Sequence, residues 1–128
     1  MVQVVAWEDD RPIGRGMVLF PAHAEWSISA HRERCAEVRD VGVGESHRRR
    51  GVARAVMTAL EEAARRAGMR RIGLAVALGE EDAPARGLYD VLGYERAHGP
   101  FISSTTLVGD DGPFPVGAAM VYVTKPLA

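Results

Sequence analysis

Cysteine is nearly absent from this chain: Cys35 stands alone among 128 residues. A single thiol excludes an internal disulfide and leaves no cysteine set for a metal, so a reducing cytoplasm is the expected compartment. An excess of charge of one sign is missing as well. Sixteen basic residues face seventeen acidic ones, for a formal charge of −1, which argues against a general nucleic-acid binder although arginines gather at 48–54 and 65–71. Long apolar runs are lacking too. Residues 1–10 carry no basic n-region, and no stretch approaches the roughly 20 apolar residues of a membrane span, so neither an export signal nor a membrane partner is expected. No repeat or low-complexity tract is visible. A chain of this length is expected to form one domain and to bury about two-thirds of its unfolded surface.

What is present is a strong helix. Val52, Val56, Ala59, Leu60, Ala63, Ala64 and Ala67 recur at three- and four-residue steps and make one apolar stripe. On the other face Glu61 precedes Arg65, and Glu62 precedes Arg66, by four residues, the favourable order, and Gly68 is a natural stop. The pattern predicts a helix over 51–67. Before it, residues 36–43 read as a strand by their β-branched content, with Gly42 and Gly44 available for a bulge or a close backbone approach. After it, 72–78 is an almost continuously apolar run that suits a strand covered on both faces. Strand, turn, helix, strand is a βαβ unit.

The turn into that helix reads Arg48-Arg49-Arg50-Gly51-Val52-Ala53. At a helix N-terminus the first N–H groups lack intrahelical partners and the macrodipole is positive, so main chain can hold a phosphate there. Gly51 lets the anion come close, Ala53 keeps the first turn uncluttered, and the arginines add positive charge. A solvated basic helix start is the bland alternative.

Elsewhere, 2–7 and 13–20 flank the turn-forming residues 8–12 and predict an antiparallel hairpin. Residues 21–35 hold His23, Trp26 and His31 without clear period and read as a mobile segment or short helix. Pro84 opens a short helix running to about Val91, Gly93 closes it, and Tyr94 starts a strand. Residues 105–108 and 118–124 flank Gly109-Asp110-Asp111-Gly112-Pro113 and read as a terminal hairpin.

Two segments together resemble a known family. The pattern [RQ]-x-x-G-x-[GA] at Arg48, Gly51 and Ala53 is similar to the coenzyme A pyrophosphate loop of the GCN5-related N-acetyltransferases. Residues 82–94 look like that family's N-x-x-A-x-x-L-Y-x-x-x-G-[FY] signature, with Ala85, Leu88, Tyr89, Gly93 and Tyr94 in place and Asp82 where Asn is usual. The resemblance covers roughly 36–94. It implies an α/β (α+β) fold: a mixed, mostly antiparallel sheet whose two central parallel strands splay apart, with helices on both faces. Relatives usually begin with a strand and one or two helices ahead of the hairpin placed here at 2–20. Three readings of their lack stay open: a homodimer or other partner supplies that wall of the acceptor site, the site is unusually open, or this start is internal to a longer protein.

The resemblance further implies acetyl-CoA as cofactor and transfer to a primary amine of a small molecule or protein by direct attack. Val41 and Val43 lie on the strand whose main chain meets the acyl group and pantetheine arm in the family, and an N–H near Val43 would serve the oxyanion. Arg48, Arg49, Arg50, Gly51, Val52 and Ala53 would hold the pyrophosphate, and Asp82 would belong to the cofactor site. Asp82 also reads as an N-cap for the helix carrying Tyr89. Glu37 sits where the histone acetyltransferase branch carries its general base; a strand carboxylate paired with Arg39 or exposed to solvent is the alternative. Tyr89 falls at the tyrosine that in many relatives protonates the thiolate; a packed core tyrosine is the alternative. Asp40, His31 and His98 are reserve bases. Two rival functions stand beside transfer: a non-catalytic acyl-CoA-binding sensor or partner subunit, and a nucleic-acid-associated module.

Overall fold

The β1–β2 hairpin turns on two aspartates. In the computed structural model, which describes residues 1–127, strand β1 (Val2–Glu8) pairs antiparallel with β2 (Arg11–Leu19), from Val2↔Val18 to Glu8↔Arg11. Asp9 takes φ 53, a left-handed conformation that Asp tolerates better than most side chains, so a two-residue turn replaces the five-residue one expected. The segment expected as mobile or helical contains helix α1 (Ile28–Glu33), whose N-cap Ser27 side chain accepts from the Ala30 N–H at 3.0 Å.

Strand β3 (Ala36–Val43) pairs antiparallel with β2, and helix α2 (Val52–Arg66) follows it. The helix lies on β1, β2 and β3 through Val56, Met57, Leu60 and Ala64, all buried. Gly14 and Gly16 make this close packing possible. A Cβ on Gly16 would stand 2.9 Å from both Leu60 Cδ1 and Val56 Cγ1, and one on Gly14 would stand 2.6 Å from Val52 Cγ1. At Gly68, φ 81, the helix ends in a Schellman turn, with the Met69 N–H donating to the Ala64 carbonyl at 3.0 Å. Strand β4 (Arg71–Ala77) then runs parallel to β3, with Ala36↔Ile72 and Glu37↔Gly73 as the paired residues.

By compactness the chain divides into two units, one from Met1 to Leu74 with the C-terminal residues from Thr124, the other from Ala75 to Val123. The C-terminal residues join the first unit by polar ties. The Leu127 N–H donates to the Arg70 carbonyl at 2.8 Å, Arg71 donates to Thr124 Oγ1 at 2.7 Å, and Lys125 Nζ lies 3.0 Å from Glu61 Oε1. Glu61 is thus buried and paired across sequence, beyond its expected partner Arg65 at 3.9 Å.

The second unit holds a 3₁₀ turn (Glu80–Asp82), helix α3 (Ala83–Val91), strand β5 (Glu95–Gly109) and strand β6 (Gly112–Pro126) as far as Val123. Pro84 sits in the first turn of α3 and Gly93, at φ 93, ends it, with the Tyr94 N–H donating to the Tyr89 carbonyl at 3.0 Å. The terminal hairpin is far longer than expected: each strand has 15 residues and the turn is Asp110-Asp111. Gly99, Pro100, Pro113, Pro115 and Gly117 read as punctuation, and β6 is exposed along most of its first half, so no one-face alternation betrays it. Hydrogen-bonded strand order is β1-β2-β3-β4-β6-β5, a mixed, mostly antiparallel α/β arrangement with one parallel pair. Among the described residues no helix is long and apolar enough to cross a membrane.

Candidate active site

The site grows out of an irregularity in β3. Arg15 faces Gly42 while Met17 faces Arg39, so Asp40 and Val41 together oppose Gly16, and Asp40 adopts φ 55. This is a β-bulge, and it bends the strand that leads to the loop. It sits at Asp40 and Val41, not at Gly42 or Gly44 as expected, because the missing Cβ of a glycine permits a bulge but does not demand one. Gly42 has another use: a Cβ there would meet nothing within 4 Å. It faces a concavity of about 390 Å³ lined by Val5, Ile13, Arg15, Gly42, Val43 and neighbours. The ladder to β4 is short. Its last rung is Glu37↔Gly73, which leaves the main chain of Val41 and Val43 outside that pairing.

Beyond β3 the Gly44 N–H donates to the Ile13 carbonyl at 2.8 Å. A 3₁₀ turn (Glu45–His47) follows, Arg48 is extended, Arg49 takes φ 64, and Gly51 takes φ 78 at the N-cap of α2. Glycine adopts such an angle freely, whereas other residues pay roughly 1–2 kcal/mol. No side chain caps α2, and the space where a Gly51 Cβ would stand is open to 4 Å. The first-turn N–H groups from Val52 onward therefore face an approachable, positively charged surface, and these residues fit a pyrophosphate. Arg50 Nη2 lies 2.9 Å from Glu8 Oε2, with His47 Nε2 3.6 Å from the same oxygen.

Glu37 departs from the expected base. It is 2% exposed, its Oε1 accepts from Arg39 at 2.7 Å and from the Ser27 N–H at 3.3 Å, and its Oε2 accepts from the Ser27 hydroxyl. Arg39 in turn donates to the Glu25 carbonyl at 2.7 Å. A general base needs an oxygen lone pair within reach of the amine or a water, and these donors occupy the carboxylate from β3 and from the start of α1. The pairing with Arg39 is what the geometry shows, and the residue ties α1 to the sheet. Cys35 is buried beside this network, and desolvation pushes its thiol up to about 11 despite the nearby Arg71, so it is no thiolate nucleophile at neutral pH.

In the second unit Tyr89 is buried on α3, its ring edge-on to Tyr94 at 5.9 Å, and burial raises its hydroxyl above the usual tyrosine value. It is therefore fully protonated at neutral pH, as a proton donor must be. Asp82 occupies the N-cap position of α3 but makes no side-chain cap there. The preceding 3₁₀ turn already gives it helical angles, φ −95 and ψ −2, whereas a capping side chain needs extended backbone. Arg86, which no expectation singled out, donates from Nη1 to the carbonyls of Ala77 and Gly79, both at 2.8 Å, and so fastens α3 to the end of β4. His98 stacks on Tyr122 at 5.2 Å and 4°, and His31 meets Trp26 edge-on at 5.6 Å.

A bulged strand leading into an uncapped helix start opened by glycine is the arrangement expected of an acyl-CoA-binding class. Comparison of the sequence with protein families agrees: residues 2–94 match the Acetyltransferase (GNAT) family, and the chain belongs to it. Acetyl-CoA is the cofactor of that family. Among solved structures, the ribosomal-protein-S18-alanine N-acetyltransferase of Escherichia coli superposes with TM-score 0.68 at 16% identity, covering 99% of this chain and 69% of that one. The IAA acetyltransferase of Bacillus cereus gives 0.69 at 15%, covering 98% and 77%. YncA of Salmonella typhimurium, solved with its cofactor acetyl-CoA, gives 0.67 at 18%, covering 98% and 64%. At these identities the likeness is one of fold. No curated protein matches the sequence.

Proposed function

We propose that the chain is an N-acetyltransferase that moves the acetyl group of acetyl-CoA to a primary amine of a small molecule or protein by direct attack. The observation that carries this reading is the loop from Arg48 to Ala53, with Gly51 at φ 78, open space above it and no side chain capping α2. Its N–H groups and arginines would hold the pyrophosphate, and the main chain of Val41 and Val43 would accompany the pantetheine arm, with an N–H near Val43 donating to the oxyanion. Asp82 belongs to the cofactor side of this reading by its place in the signature. When bound, acetyl-CoA supplies an activated thioester. In this reading the amine nitrogen would form the new C–N bond as the C–S bond breaks, Tyr89 would give its proton to the departing sulfur and regain one from solvent, and solvent would take the proton the amine sheds. Glu37, locked by Ser27 and Arg39, serves this reading as a positioning residue.

The reading includes a cytoplasmic location, where a lone thiol stays reduced, and a homodimer, which the exposed Ile102, Val108 and Phe114 support. The engagement of Glu37 favours a second reading, an acyl-CoA-binding sensor without turnover. Thiol release from acetyl-CoA against a panel of small amines and amine-bearing peptides separates the two. Release with any acceptor supports transfer; tight coenzyme A binding with no release from the whole panel supports the sensor.

A further inference from the structure

The phosphate loop is fastened to the β1–β2 hairpin by contacts that no motif marks. Glu8 ends β1, and its Oε2 reaches Arg50 Nη2 at 2.9 Å and His47 Nε2 at 3.6 Å. His47 Nδ1 is 3.1 Å from Ser46 Oγ, and the Gly44 N–H is bonded to the Ile13 carbonyl. The loop is thus held near both ends, at Gly44 and at Arg50. Between them Arg49 stands at φ 64, a conformation that a non-glycine residue keeps only where its surroundings over-determine it.

We infer that Glu8 is a positioning residue for cofactor binding. It pairs with Arg50 beside His47, sets the loop backbone in the form that presents the N–H groups of α2, and makes Arg50 a strut of the loop in place of the phosphate contact that the resemblance implies for it. The inference rests on the proposed role of the loop in holding pyrophosphate. Simple charge summation predicts the opposite sign for Glu8, since a carboxylate this near an anion site would weaken binding and its removal would tighten it. Charge reversal therefore separates the two ideas.

Acetyl-CoA affinity is measured by titration calorimetry for wild type, Glu8→Arg, Arg50→Glu, the double reversal, and Gly51→Val. The bridge is partly exposed, 42% at Glu8 and 53% at Arg50, so each single reversal is expected to weaken binding by about fivefold and the double reversal to recover most of that. Turnover at saturating acetyl-CoA, with an amine from the panel, is expected to stay at the wild-type level in Glu8→Arg while KM rises. Unchanged or tighter binding in Glu8→Arg overturns the inference in favour of charge summation. A double reversal no better than Arg50→Glu overturns it in favour of direct phosphate contact by Arg50. Unchanged affinity in Gly51→Val has a different meaning: it removes the loop from cofactor binding and takes this inference with it.

Discussion

Replacing Gly51 by valine tests the cofactor site through two separable costs. The first is conformational. Gly51 sits at φ 78, where a side chain with Cβ costs roughly 1–2 kcal/mol and a β-branched one falls at the upper end. No atom lies within 4 Å of the new Cβ, so the substitution adds strain without a steric clash. For a domain of this size about 1 kcal/mol moves Tm by roughly 4 °C, so Gly51→Val is expected to remain folded and to melt about 4–8 °C lower. The second cost concerns the ligand. Acetyl-CoA at a hundredfold excess over its Kd stabilises the wild type by about 2.7 kcal/mol, which is roughly 10 °C in Tm. The valine side chain would occupy the open approach to the first-turn N–H groups, and the ligand-induced shift is expected to vanish. Gly51→Ala, which carries the strain with the smallest side chain, should lose apo stability similarly and keep part of the shift. Thermal melts of the three proteins with and without acetyl-CoA measure both effects. A full shift in Gly51→Val would falsify the assignment of the pyrophosphate to this loop.

Tyr89→Phe keeps the ring and its edge-on contact with Tyr94; thiol-release rates are expected to fall about 10²–10⁴-fold with acetyl-CoA affinity unchanged, as for a lost general acid. Equal rates, with at most about 1 kcal/mol of lost stability, would make it a core tyrosine. Gly16→Val places side-chain atoms where a Cβ alone would stand 2.9 Å from Leu60 and Val56; overpacking of about 1–3 kcal/mol is expected, read as a lower urea midpoint, and an unchanged midpoint would mean that α2 does not rest on β2. The Cys35 thiol is raised from 9.0 to about 11 in the folded state, so the stability it contributes is complete below pH 9 and is lost as pH climbs toward 11. Urea midpoints across that window should fall less steeply in Cys35→Ala than in wild type, and parallel slopes would mean that the thiol does not titrate as its burial requires.

The sequence by itself determined the βαβ unit. The apolar stripe of α2 and the β-branched run of β3 are local patterns set by one buried face and by backbone preference, and both recur in the structure within a residue of their expected bounds. Glycine stops at Gly68 and Gly93 were legible for the same reason, since a left-handed helix end is a property of one residue. Tertiary structure decided the rest. The bulge at Asp40 arises from the registration of β3 on β2, which no feature of residues 36–43 encodes. Asp82 lost its capping role because the turn before it fixed its backbone. The long β5–β6 hairpin was hidden by its prolines and glycines and by exposure on both sides, which removes the alternation that burial imprints. Glu37 and Glu8 show the difference most plainly. A carboxylate's role depends on what surrounds it: Glu37 is held by its near neighbour Arg39 and also by Ser27, ten residues earlier, while Glu8 pairs with Arg50 beside His47, some forty residues later. Such partners are chosen by how the chain folds back on itself, so the sequence could name the residues while only the packed structure could assign their work.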